Sequence, residues 1–234
     1  MIDFHSHILP GMDDGSQCVR DSLEMLRRLR KQRVDIVALT PHFYADHASV
    51  EQFLQKRQAA FACLHKALPD DAPQLLLGAE VLYFPGISHL ERLSELCLEG
   101  TNILLLEMPF SRWNEHEIRE VCEMAASGEV TVLLAHIERY LAFQTKTVWV
   151  RLAENGIYMQ SNAEFFLTPV LRRCAIRMLQ QDRIHVLGTD THNLNTRAPR
   201  MDAAMAYMEK RMGTGYCESL ARRAYDFLKD RSRG

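Results

Sequence analysis

The stretch Ile103-Leu104-Leu105-Leu106-Glu107 sets four aliphatic residues in a row and closes them with a carboxylate. Successive strand side chains point to opposite faces, so an unbroken apolar run describes a strand buried on both sides, as in a parallel sheet covered by helices. Similar runs recur on either side. They occupy residues 2–5, 34–40, 75–81, 103–108, 130–136, 157–161 and 184–190. The intervening segments have helical patterning. In 18–33, Val19, Leu23, Leu26 and Leu29 recur at helical spacing while Arg and Lys fill the other faces, and Ser16 is the expected N-cap. Further helices are expected over 49–67, 88–98, 115–127, 145–155, 168–181, 199–212 and 216–229. Seven strands alternating with helices predict an α/β architecture, an open sheet or a parallel barrel, and 1–234 reads as a single domain.

Six of the seven runs end on a side chain that can ligate a metal. His5 and His7 close the first, His42 follows the second in Thr40-Pro41-His42, and Glu80 ends the third. Glu107 ends the fourth, His136 the fifth, and Asp190 with His192 the seventh. Parallel barrel strands all end on one rim, so these residues would meet there. Imidazoles and carboxylates supply the donors that divalent transition metals accept. Asp14, in the turn after the first run, reaches the same rim. A lone H-x-H or D-x-H pair carries little weight. Glu80 and Glu107 say more, because each follows an apolar stretch where a carboxylate needs a partner. His47, His65, His89, His116 and His185 read as loop, helix or opposite-end residues.

Composition narrows the function classes. Hydrophobic residues make up 47% and charged residues 25%, which suits a globular core. A net charge of −2, from 28 basic and 30 acidic residues, leaves no nucleic-acid footprint. The six cysteines include no C-x-x-C pair, which speaks against a thiolate zinc site. Without a leader-like N-terminus or an apolar run near the roughly 20 residues of a membrane span, a cytoplasmic protein is expected. Cys217 and Arg223 match the bare C-x5-R pattern of thiol phosphatases, but the intervening residues contain no glycine and continue a helical pattern.

Asp3-Phe4-His5-Ser6-His7-Ile8-Leu9-Pro10-Gly11-Met12-Asp13-Asp14-Gly15-Ser16, Thr40-Pro41-His42, Gly78-Ala79-Glu80-Val81, Ala135-His136-Ile137-Glu138-Arg139-Tyr140 and Thr189-Asp190-Thr191-His192-Asn193 together resemble the PHP (polymerase and histidinol phosphatase) family. The D-D-G turn with H-I-E-R-Y resembles its bacterial capsule-associated protein-tyrosine phosphatase branch. The resemblance implies a distorted barrel of seven strands, its active site at the C-terminal strand ends, holding three divalent ions. Mn²⁺ is the expected metal, with Fe²⁺, Co²⁺ or Zn²⁺ as alternatives. It implies that His5, His7, Glu80 and Asp190 hold one ion, Glu80 with Glu107 and His136 a second, and Asp14, His42 and His192 the third.

The implied activity is phosphotyrosine hydrolysis by a metal-bound hydroxide, on a bacterial tyrosine kinase tail that controls exopolysaccharide or capsule synthesis. Arg139 and Arg197 are the expected phosphate-binding residues, with Arg200 as a substitute for the second. Phe43, Tyr44, Phe110 and Trp113 either wall an aryl group or pack within loops. A histidinol phosphatase, a nuclease-like phosphoesterase and a non-catalytic metal-stabilised binding module are the rival readings.

Overall fold

In the computed structural model, which describes residues 1–231, nine strands pair in parallel. They are β1 (Ile2–Asp3), β2 (Ile36–Leu39), β3 (His42–Phe43), β4 (Gln74–Leu77), β5 (Glu80–Leu82), β6 (Ile103–Glu107), β7 (Thr131–Leu134), β8 (Tyr158–Asn162) and β9 (Val186–Gly188). One sheet has the order β1-β2-β4 and the other β3-β5-β6-β7-β8-β9. The last strand returns to the first: Phe4 N–H donates to Leu187 O at 3.1 Å, Asp190 N–H to His5 O at 2.8 Å, and His7 N–H to Thr191 O at 2.9 Å. The strands thus curl into a distorted barrel.

The expected count of seven strands is corrected to nine because two runs break in the middle. Pro41 has no N–H with which to continue the ladder of its run. The third run breaks at Gly78-Ala79, where a side chain on Gly78 would lie 2.5 Å from Leu98 Cδ2. Across both breaks the strands stay in step, since Gly78 N–H donates to Leu39 O and Glu80 N–H to Pro41 O.

Alternation divides the core in two. One set of residues, including Ile2, Phe4, Ala38, Ile103, Leu105, Leu133 and Val186, packs together with Ala224 and Phe227 of the last helix. The neighbours Leu104, Leu106, Val132 and Leu134 belong to the larger core shared with the surrounding helices. Those helices are α1 (Val19–Lys31), α2 (Val50–His65), α3 (Glu115–Ser127), α4 (Lys146–Glu154), α5 (Arg172–Gln180), α6 (Met201–Met212) and α7 (Thr214–Lys229).

Capping boxes at Ser49 and Asn114 set the starts of α2 and α3. Ser16 does not cap α1: its Oγ donates to Cys18 O, and Cys18 takes the cap position without a side-chain bond. The helix expected over 88–98 is replaced by 3₁₀ turns at Ile87–His89 and Leu93–Leu96. Left-handed Gly86 (φ 88°) and Arg92 (φ 66°) and extended Leu90 interrupt it. Helix α5 starts at Arg172 rather than 168, past Pro169. Cys217 is buried inside α7, so the C-x5-R match is part of a helix. Among the described residues, no helix is long and apolar enough to cross a membrane.

Candidate metal centre

All nine candidate donors meet where the strands end. His5 Nε2 and His7 Nε2 lie 3.1 Å apart, and each is 3.2 Å from Glu80 Oε2. His136 Nε2 is 2.8 Å from Glu80 Oε1 and 3.2 Å from Glu107 Oε1. Asp190 Oδ1 approaches His7 Nε2 at 3.5 Å, and Asp14 Oδ1 approaches His192 Nε2 at 3.3 Å and His42 Nε2 at 3.5 Å. Four overlapping groups result: His7 with Asp14, His42 and His192; His5 with His7 and Asp190; His5 with Glu80 and His136; and His42 with Glu80 and Glu107. Asp14 is exposed, whereas His5, His7, Glu80, Glu107, His136, Asp190 and His192 are buried. The other histidines lie elsewhere. His185 Nδ1 accepts from Met159 N–H, and His47 is exposed beside Tyr44.

The backbone is bent to bring these donors in. His136 (φ 31°) and Asp190 (φ 52°) both adopt the left-handed region, which costs a residue with a side chain on the order of 1–3 kcal/mol. Strain of this kind at two donors marks a site whose geometry the rest of the fold enforces. Gly15 is equally constrained, since a Cβ there would lie 2.2 Å from His7 O.

Asp13, which the sequence does not single out as a candidate, also joins the site. Its Oδ2 lies 2.7 Å from His7 Nδ1 and accepts from His42 N–H at 3.0 Å, while its Oδ1 accepts from Gly15 N–H. A carboxylate on Nδ1 turns Nε2 of His7 toward the centre, as the outer partners of metal-binding histidines do. The available signal was the Asp13-Asp14-Gly15 turn itself, in which only one of two adjacent carboxylates can face the rim.

The charges are strongly interdependent. Burial pulls the His7 imidazole down, but hydrogen bonds to Asp13 and Glu80 outweigh it and raise His7 to about 10. His136 is likewise raised to about 9, its burial overcome by Glu107 and Glu80. Burial and the nearby His7 push His192 down to about 4, which leaves it neutral at pH 7. Burial opposes ionisation of Glu80, yet His5, His136 and His42 hold its carboxyl well below the usual range.

The donor set fits a metal by a direct criterion. Buried polar atoms normally find hydrogen-bond partners. Here His42 Nδ1, Glu80 Oε2, His136 Nδ1 and His192 Nε2 are buried without one. His42 Nδ1 and Glu80 Oε2 are only 2.9 Å apart, yet they are not aligned as a hydrogen bond. Three of these atoms, His42 Nδ1, Glu80 Oε2 and His192 Nε2, face other candidate donors across the rim, an arrangement that suits a cation.

Arg139 and Arg197 reach this centre from different loops and grip the two oxygens of one carboxylate: Arg139 pairs with Asp190 Oδ2, and Arg197 Nη2 lies 2.7 Å from Oδ1. Both remain part exposed. Arg200 does not join them; it pairs with exposed Glu164 at 3.3 Å. Of the four aromatic residues, Phe43 packs on Phe53 in the core, and buried Trp113 packs on Tyr140 and Trp149 while its indole N–H donates to Pro109 O. Tyr44 stacks on His42, and exposed Phe110 lies 5.7 Å from His136 beneath the Arg139 guanidinium.

Known proteins share this whole arrangement of chain. Tyrosine-protein phosphatase YwqE of Bacillus subtilis is 28% identical over 221 residues, 92% of this chain and 86% of its own. Tyrosine-protein phosphatase CpsB of Streptococcus pneumoniae is 29% identical over 236 residues, 94% of each chain. A solved structure from a study of YwqE and CpsB, described there as metal-dependent tyrosine phosphatases, superposes with a TM-score of 0.84. At 24% identity it covers 100% of this chain and 96% of its own, and it establishes the fold. A model of the capsular polysaccharide synthesis family CpsB/CapC matches residues 1–227. With a match of that extent, and a rim built throughout from the motifs that span it, the chain belongs to the CpsB/CapC family.

Proposed function

We propose that residues 1–234 form one metal-dependent protein-tyrosine phosphatase unit that acts in the cytoplasm on a tyrosine kinase of exopolysaccharide or capsule synthesis. The observation that carries the reading is the presence, at one rim, of buried polar atoms without hydrogen-bond partners and of two arginines that converge on one carboxylate. The names of the relatives support phosphotyrosine as substrate, and the family description supports the capsule context.

His5, His7, Asp14, His42, Glu80, Glu107, His136, Asp190 and His192 would hold the ions, three in number by resemblance and Mn²⁺ in identity. Bound divalent metal supplies a hydroxide nucleophile at neutral pH and neutralises phosphate oxygens. The protein positions the ester. Arg139 and Arg197 can each offer paired N–H donors to phosphate oxygens, fixing the phosphorus over the centre. Phe110 and Tyr44 flank the centre beside His136 and His42, where an aryl leaving group can lie against a ring. The mechanism requires no covalent phosphoenzyme.

The test is phosphate release from a phosphotyrosine peptide and from histidinol phosphate, each with Mn²⁺ and with chelator. Chelator-sensitive turnover that favours the peptide is expected. Preference for histidinol phosphate would overturn the substrate, and turnover indifferent to chelator would overturn the metal.

A further inference from the structure

The sixth strand run is the one without a ligand at its end, yet β8 carries the buried polar sequence Gln160-Ser161-Asn162. Polar side chains in a barrel interior cost free energy unless they are bonded, so their presence asks for a purpose. One obligate donor fixes the bonding of the whole group. The backbone N–H of His136 donates to Gln160 Oε1 at 2.7 Å, which identifies that atom as the amide oxygen. The same oxygen lies 3.3 Å from His5 Nδ1, which must therefore carry a proton, and Nε2 is the ring nitrogen turned toward Glu80 and His7.

The other end of the amide continues the chain. Gln160 Nε2 donates to Asn162 Oδ1 at 2.9 Å, so Asn162 Nδ2 is the group that donates to Asp190 Oδ2 at 2.9 Å. Ser161 Oγ and Asn162 N–H both donate to Glu138, which anchors the strand end to the turn after His136. Gly188 completes the packing, since a Cβ there would lie 2.6 Å from His5 Cβ and 2.8 Å from Gln160 Nε2.

We infer that β8 is a positioning strand: Gln160 and Asn162 set the tautomer of His5 and the placement of His136 and Asp190, and so set the affinity of the centre for its metal. Both residues spend their side-chain polar atoms on protein partners and are not among the nine candidate donors. The inference rests on the reading of His5, His136 and Asp190 as ligands, but it is independent of which phosphoester is hydrolysed.

Gln160→Met keeps the side-chain length and removes both polar ends. Equilibrium dialysis with Mn²⁺ is expected to show affinity reduced roughly 10–100-fold, the range for loss of an outer partner of a metal ligand. In the metal-free protein, where either ring nitrogen of His5 is free to carry the proton, ¹⁵N imidazole shifts should report Nδ1–H for His5 in the wild type and in Gln160→Glu, which keeps the acceptor. They should report its loss in Gln160→Met. If Gln160→Met does not fold, Gln160→Glu and Asn162→Ser carry the test: the first should keep the His5 tautomer, and the second should keep it while weakening Mn²⁺ binding. Wild-type affinity and an unchanged tautomer in folded Gln160→Met would overturn the inference. So would a lowered melting temperature with unchanged affinity, which would mark a purely structural role. A wild-type protein that binds no Mn²⁺ would overturn the ligand reading and this inference with it. Mn²⁺ binding without phosphotyrosine hydrolysis would leave this inference standing and remove only the substrate.

Discussion

The two ends of the barrel are built from the same strands and differ in almost every physical respect. Below the rim, along one face of the strands, Phe4, Leu105, Leu133 and Val186 form an apolar cluster that Phe227 of α7 packs against, with Phe4 and Phe227 ring centroids 5.9 Å apart. Toward the strand ends, the same runs deliver His5, Glu107, His136 and Asp190, two of them in left-handed backbone. The difference teaches where the chain holds its stability and where it gives some up: burial at one end and in the outer core, strain and buried charge at the other. Substitutions at the two ends should therefore fail in different ways.

The largest effect is expected at Glu80, which contacts His5, His7, His42 and His136. Glu80→Gln keeps the shape and removes the charge, so the protein should fold while turnover drops by more than the roughly 10–100-fold that losing an outer partner costs. Metal bound at 100 times its Kd stabilises a fold by about 2.7 kcal/mol, and that upward shift in melting temperature should vanish in Glu80→Gln. A wild-type shift retained in the variant would break the comparison.

Ile103→Ala, at the first residue of β6, probes the apolar end. A fully buried isoleucine truncated to alanine costs about 2–5 kcal/mol, visible as a lower denaturation midpoint. Below that midpoint, kcat per folded molecule should stay near wild type. A lost kcat with unchanged stability would show that the two ends are not separable. Arg139→Ala sits at the mouth between these extremes. Loss of one electrostatic donor to a reacting group costs about 10²–10³ in kcat, and metal content should be unchanged.

A subtler difference is in protons. Without metal, His7 is raised to about 10 and His136 to about 9, both above the ordinary 6.5, so both are protonated at pH 7. Metal ligation needs the neutral ring. The sign follows: binding releases protons, and apparent affinity rises with pH by roughly tenfold per unit for each proton displaced, with both rings contributing up to about 9 and His7 alone up to about 10. Calorimetry in buffers of different ionisation enthalpy should detect the release; heats independent of the buffer would contradict it.

Much of this was legible in the chain because strand ends are punctuated. An apolar run closed by a donor states both the strand and its destination, and all nine donors do meet. The breaks were less legible, because Gly78 reads as a turn signal only once Leu98 is known to press on it. The 88–98 segment has helical composition, and nothing in it announces that Arg92 takes a positive φ. Phe43 and Trp113 follow strand ends as closely as Tyr44 and Phe110 do, and only packing separates the core pair from the pair at the mouth. Asp13 and Gln160 act through other residues, so neither a metal-ligand pattern nor hydrophobic periodicity points to them.

The smallest expected effect concerns Arg200, three residues from Arg197 in the same loop and identical in chemistry. Arg197 Nη2 is 2.7 Å from Asp190 Oδ1, a buried carboxylate, and its Nη1 is 3.9 Å from Asp14 Oδ2. Arg200 instead meets Glu164, and both members of that pair are more than half exposed. An exposed ion pair contributes about 0–1 kcal/mol, and its partner is not one of the donors. Arg200→Ala should therefore leave kcat and KM within about twofold of wild type and shift stability by less than about 1 kcal/mol. Arg197→Ala, measured beside it, should raise KM or lower kcat by at least about tenfold, because a charge-assisted contact at the mouth is lost. If the two variants lost activity equally, the loop would be acting as one basic surface rather than through a single guanidinium, and the assignment of phosphate binding to Arg197 rather than Arg200 would fall.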